Sequence, residues 1–208
     1  MKATKRIGCT LLALIFLLLA GCAAPPQAEA DGSVSDFVFG EDGYAYAPAP
    51  FGSTRKELEA ALGSEMIDKG SNPHTDPFEY LSYVTPNQDV QLSGPNLTSR
   101  VDAQFTEDDG LFAITFNSAV TPDQREDFVE ACRSGFTALF GEPAEDTARE
   151  NGWHILSWED EESGNVFMVN IDGPTEFDEQ EAEVYNVMLA AFEKWRYVEA
   201  GVGEWASE

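Results

Sequence analysis

Apolar and polar residues follow two different periods along this chain, and each change of period marks an expected element. Residues 36–46, DFVFGEDGYAY, alternate about a Gly-containing turn and predict a short hairpin. Residues 51–63, FGSTRKELEAALG, switch to helical spacing. There Leu58, Ala61 and Leu62 recur at i, i+3 and i+4, Thr54 and Glu57 stand as a capping box, and Gly63 ends the helix. Gly70, Asn72, Pro73, Asp76 and Pro77 predict a loop over 68–77, followed by a strand over 78–84 and a second loop over 86–95.

The middle of the chain is more regular. Val101, Ala103 and Phe105 alternate up to Asp108-Asp109-Gly110, and alternation resumes as Phe112, Ile114 and Phe116, which predicts a hairpin over 100–118. Thr121-Pro122 opens a helix with Pro in its first position and Gln124 completing a capping box. Val129, Cys132, Phe136 and Leu139 form its inner stripe, flanked by Phe128 and Phe140, and Gly141 and Pro143 end it. Residues 153–172 predict another hairpin, turning at Ser163-Gly164-Asn165. Trp153, Ile155 and Ser157 lie on one face of its first strand, and His154, Leu156 and Trp158 on the other. A last helix is expected to start at Asp178 and Glu181. Val184, Val187, Met188, Ala191, Phe192 and Trp195 form its apolar face, and Lys194 and Arg196 complement its negative end. The fold class predicted is α+β: an antiparallel sheet built from hairpins, with two or three helices packed on one side.

The N-terminal segment has another character. Lys2, Lys5 and Arg6 form a basic head, an apolar run covers 11–20, and small residues follow. This is the layout of a secretory signal, and the run is shorter than the roughly 20 residues needed to span a bilayer. Leu19-Ala20-Gly21-Cys22 resembles the lipobox of bacterial lipoproteins. That resemblance implies a Cys22 thiol joined to diacylglycerol and cleavage just before it. It also implies a lipid bilayer as partner and a place on the extracytoplasmic face of a cell membrane. Each buried methylene contributes about 0.8 kcal/mol, so two or three acyl chains hold firmly where one does not. The expected organisation is a signal peptide over 1–21, an Ala- and Pro-rich tether over 22–35, a single α+β domain over 36–200 and a tail over 201–208.

Charge narrows the partners. The chain has 38 acidic and 12 basic residues, a formal charge of −26, and three of the basic residues precede Cys22. Nucleic acid and anionic lipid surfaces are poor partners for such a chain. Of three cysteines, Cys9 falls in the signal and Cys22 in the lipobox, so Cys132 stands alone and no internal disulfide is expected.

Candidate chemistry is sparse. His74 and His154 are the two histidines, and neither belongs to a Cys/His metal-ligand spacing. A Cys132–His154 nucleophile pair is weighed against a Cys that fills an apolar helix face. No nucleophile elbow, phosphate loop or dinucleotide fingerprint is present. The acidic turns 107–109 and 159–162 are candidates for calcium or simply for solvation. Tyr44, Tyr46, Phe51, Tyr80, Tyr83, Trp153 and Trp158 either fill the core or line a groove. No catalytic residue, metal ligand or cofactor is assigned.

Phe51, Gly52, Ser53, Glu57, Leu58, Leu62 and Gly63 resemble the opening of small bacterial envelope domains of the outer-membrane-assembly lipoprotein and beta-lactamase-inhibitor-protein type. That resemblance implies a short helix on an antiparallel sheet and a role in binding another protein. From the anchor, the tether, the α+β body and the absence of a catalytic constellation, the leading expectation is a membrane-anchored, non-enzymatic binding or scaffold module for an envelope protein. The alternatives are a small-ligand or calcium-binding module and a hydrolase with dispersed carboxylates.

Overall fold

In the computed structural model, residues 36–71, 80–92, 97–106, 108, 110–150, 152–176 and 183–194 are described. The expectations placed on 1–35, on Asp178 and Glu181, and on 195–208 lie outside these residues. The chain begins as the alternating pattern predicts. Strands β1 (Phe37–Gly40) and β2 (Gly43–Tyr46) pair antiparallel, with Phe37 opposite Tyr46 and Gly40 opposite Gly43.

Helix α1 (Arg55–Leu62) starts and stops where its sequence says. The Thr54 hydroxyl accepts from the Glu57 N–H at 3.4 Å while the Glu57 carboxylate accepts from the Thr54 N–H at 2.8 Å. Gly63 takes the left-handed conformation at φ 66°, a backbone state that costs glycine nothing. Leu58 is fully buried and Ala61 and Leu62 pack beside it.

Nine more strands follow: β3 (Ile67–Ser71), β4 (Tyr80–Val84), β5 (Val90–Leu92), β6 (Leu97–Thr106), β7 (Leu111–Val120), β8 (Glu145–Ala148), β9 (His154–Glu159), β10 (Asn165–Glu176) and β11 (Glu183–Glu193). They form one antiparallel sheet in the order β3-β4-β6-β7-β11-β10-β9-β8, with β5 also paired to β6. Helix α2 (Arg125–Phe140) joins β7 to β8. The class is thus α+β, dominated by the sheet, with two helices among the described residues.

Several expectations need correction. The last apolar run is strand β11, not a helix, and it sits in the middle of the sheet between β7 and β10. Its apolar residues satisfy a helical stripe and a two-faced strand equally, because a central strand buries both faces and loses its alternation. Val187, Leu189 and Ala191 point to one face, Ala190 and Phe192 to the other. Residues 67–71 form β3 instead of opening a loop, and 90–92 form β5 inside the second predicted loop. β8, sequence EDTA, has no apolar pattern and forms because β9 offers a free edge.

Helix α2 begins three residues later than Pro122 predicts. Residues 122–124 form a turn in which Gln124 Oε1 accepts from the Thr121 N–H at 3.3 Å and its hydroxyl at 2.9 Å. The expected capping box is therefore not formed: the Gln124 N–H donates to the Thr121 carbonyl at 3.0 Å and not to its hydroxyl, and the pair closes a turn ahead of the helix. Phe128 is buried with Val129, Cys132 and Phe136, whereas Leu139 faces solvent.

The larger core cluster gathers residues from α1, α2, β1 and β2 against one face of the strands. Its centre is aromatic: the Phe136 and Phe167 ring centroids lie 4.5 Å apart, Phe37 and Phe167 4.7 Å, and Phe136 and Trp158 5.7 Å. The Trp158 indole N–H donates to the Gly141 carbonyl at 2.8 Å, using a helix-end acceptor that would otherwise be orphaned.

Candidate functional site

The β1–β2 turn and the β9–β10 turn meet, and their contact forms one wall of an acidic cleft. The Asn165 side chain, buried, donates to the Asp42 carbonyl at 2.6 Å. Gly43 sits directly against this junction at φ 82°, where an added Cβ would lie 2.2 Å from Ser163 Oγ and 3.1 Å from Asn165 Cβ. No other residue combines that backbone with that approach.

The second turn is held by its own polar groups. Asp160 accepts from the Ser163 N–H at 2.9 Å, and its pKa is lowered first by the Ser163 side chain and then by this backbone bond. The Gly164 N–H donates to the Asp160 carbonyl at 2.8 Å, and Lys194 N–H to the Gly164 carbonyl at 3.1 Å.

The cleft, about 550 Å³, is lined by the acidic residues Glu41, Asp42, Glu162 and Glu193, with Ser163 and Asn165 among them and Ala45, Pro50 and Phe51 as its apolar part. The nearby Tyr44 phenol is pushed above its ordinary pKa, first by burial and then by the negative Asp160. A concave surface of one sign focuses its field on cations. Lysine or arginine side chains, or an ammonium group, suit such a cleft; a phosphate or another carboxylate does not.

The remaining candidates fall elsewhere. His154, buried on β9, approaches Asp146 on β8 at 2.7 Å, and Arg133 of α2 meets the same carboxylate at 2.7 and 3.1 Å while bonding Glu130 at 2.6 Å. Chiefly the Arg133 hydrogen bond, and then that of His154, hold the Asp146 pKa at about 2. This network ties α2 to the sheet edge.

Cys132 points into the apolar core, where burial pushes its thiol to about 12. A thiol so strongly protonated is a poor nucleophile at neutral pH.

Of the seven aromatics singled out, Tyr44, Tyr46, Tyr80, Tyr83 and Trp158 are buried in the core, and Trp153 is half-buried with its indole N–H donating to Asn170. Only Phe51 lines the cleft. His74, Glu107 and Asp109 lie outside the described residues.

Within the acidic turn 159–162, Glu159 pairs with Lys194 at 2.6 Å and only Glu162 reaches the cleft. Among the described residues, no three His, Cys, Asp or Glu side chains converge as a metal site. Sequence reasoning missed Glu41, Asp42 and Glu193. The first two stand in a recognised turn, but nothing local shows that it abuts another turn some 120 residues on. No family model, curated protein or solved structure matches the chain.

Proposed function

We propose that this chain is a membrane-anchored extracytoplasmic lipoprotein that binds another envelope protein without catalysing a reaction. The observation that carries the reading is the run of basic head, short apolar segment and Leu19-Ala20-Gly21-Cys22, followed by a Pro-rich stretch. Acylated Cys22 holds the chain on the bilayer and residues 22–35 act as tether. The single domain presents the acidic cleft to a basic segment of its partner. Both helices and the β1–β2 hairpin lie on one face of the sheet in this arrangement. The similarity of residues 51–63 to protein-binding envelope domains agrees with the reading.

The anchor is tested by feeding cells an alkyne-bearing fatty acid and comparing wild type with Cys22→Ser. Label on the wild type alone is expected; equal label on both, or on neither, sinks the lipoprotein reading. Partner binding is tested by in-cell crosslinking and recovery from native membranes. One protein recovered near stoichiometry with wild type is expected. Recovery falls roughly fivefold with Asp42→Asn combined with Glu162→Gln, because rim charges act mainly on association and each contributes under about 1 kcal/mol. Recovery of nothing but bulk membrane protein, with wild type and variant alike, removes the binding reading.

A further inference from the structure

The β1–β2 hairpin leaves apolar side chains in water. Among the described residues, the exposed large apolar side chains are Val38 at 41 %, Phe39 at 52 %, Leu139 at 37 % and Ile67 at 49 %. Ile67 stands apart on β3 at the end of the sheet, and a single such residue is ordinary on any surface. The other three belong together. The Phe39 ring centroid lies 4.7 Å from that of Tyr44, and Tyr44 lies 5.1 Å from Phe140, whose neighbour in α2 is Leu139. Helix α2 packs directly against β1. Val38 stands opposite Ala45, so the two share the hairpin face that Ala45 turns to the acidic cleft. Val38 thereby carries the apolar lining of Ala45, Pro50 and Phe51 out to the surface.

The same hairpin is acidic at its tip. Glu41 and Asp42 form its turn and line the cleft together with Glu162. Phe39 precedes Glu41 by two residues, about 7 Å of extended chain. We propose that Val38, Phe39 and Leu139 form an apolar anchor site beside the acidic cleft, occupied by a segment of another protein that carries a large apolar side chain within a few residues of lysine or arginine. This rests on the reading of the domain as a binding module, and adds to it the seat of the partner's apolar side chain. Charge selects the occupant. A second copy of the chain would set two acidic tips, and two formal charges of −26, against each other. An anionic lipid surface would meet Glu41, Asp42 and Glu162 beside the apolar residues. A basic segment is attracted by those carboxylates, while its apolar side chain removes Phe39 and Leu139 from water.

Two short peptides test this on the full chain in phosphatidylcholine nanodiscs, with empty discs subtracted: one alternates lysine and leucine, the other lysine and glycine. Phe39→Ser combined with Leu139→Ser is expected to weaken the lysine–leucine peptide roughly tenfold and to leave the lysine–glycine peptide unchanged. Asp42→Asn combined with Glu162→Gln weakens both. Equal affinity of the lysine–leucine peptide for wild type and the apolar variant overturns the proposal. The cleft reading then stands if the carboxylate variant still weakens both peptides, and falls as well if neither peptide binds. Where Phe39→Ser unfolds the hairpin, Leu139→Ser alone decides, since Leu139 faces solvent. A loss of roughly threefold, confined to the lysine–leucine peptide, is then expected. In cells, p-benzoylphenylalanine at position 39 identifies the occupant. Adducts on another protein, at a segment with lysine or arginine within a few residues of the attached one, support the proposal. Adducts on a second copy of the chain, on lipid or on a segment without basic residues overturn it, and so does the absence of any adduct.

Discussion

The two faces of the central sheet are both buried, but they are built by different means. On the first, rings from a helix (Phe136, Phe140), a hairpin (Phe37, Tyr46) and the strands (Phe116, Trp158, Phe167) interlock at centroid distances between 4.5 and 6.1 Å. Polar groups there sit at the margins and are used, as where Trp158 closes the end of α2. On the second, smaller residues such as Ala113 and Ala190 alternate with a few large ones, and every described contributor comes from the strands or the residue before one. The comparison teaches that burial does not by itself specify how a face is packed. The aromatic face draws on elements that announce themselves with caps and turns, whereas no helix among the described residues contributes to the second.

The strongest way to break that comparison uses adjacent residues on β10. Phe167 points to the aromatic face and Met168 to the second. Phe167→Ala is expected to cost about 3–5 kcal/mol and Met168→Ala about 2–3 kcal/mol, read from urea unfolding midpoints at constant slope. Equal losses would mean that both faces are packed alike. A Met168→Ala loss below about 1 kcal/mol would mean that the second face is loosely packed.

A smaller effect probes how α2 is held over the first face. Arg133→Ala removes the bonds to Asp146 and Glu130 and should cost about 1–2 kcal/mol, less than a buried network because the group is partly solvated. The pH dependence has a definite sign. The Asp146 pKa of about 2 lies below the unfolded value of about 3.9, so its contribution is fully present above about pH 5 and is lost as pH falls towards 2. The stability gap between wild type and Asp146→Asn should therefore be flat from pH 7 to 5 and close between roughly pH 4 and 2. A gap that widens on acidification would show that the ion network does not pin the helix.

The smallest effect concerns α1, whose Leu58 also enters the aromatic face. Thr54→Ala removes one half of the capping box and should cost about 1 kcal/mol. It should also let the Glu57 pKa, lowered first by its bond to the Thr54 backbone, rise part of the way back, observable by NMR titration. No change in either quantity would mean that the cap does not set the helix start.

Legibility followed the range of the interactions. The β6–β7 hairpin was legible because alternation on both arms flanks Asp108 and Gly110, and the Thr106 N–H does bond the Gly110 carbonyl at 2.9 Å. The β9–β10 hairpin was legible for the same reason, down to the face on which Leu156 and Trp158 lie. β11 was not. Val184, Val187, Met188 and Ala191 fit a helical stripe well, and only the pairing of Tyr185 with Val120 and of Phe192 with Ala113 on one side, and with β10 on the other, makes the segment a strand. The cleft was half legible. The acidic turn 159–162 was noticed, but its meeting with Asp42 through Asn165 was not written in either turn.

What the residues determined alone was local: the capped start and glycine stop of α1, three hairpins whose turns carry Gly with Asp, Asn or Ser, and an overwhelming negative charge. These follow from bonds and clashes that span a few positions. Tertiary structure decided the state of β11, the existence of β3, β5 and β8, and the convergence of four carboxylates on one cleft. Each of these depends on a neighbour brought in from elsewhere in the chain, and a backbone donor or a buried face is satisfied by whichever segment arrives, not by the residues beside it.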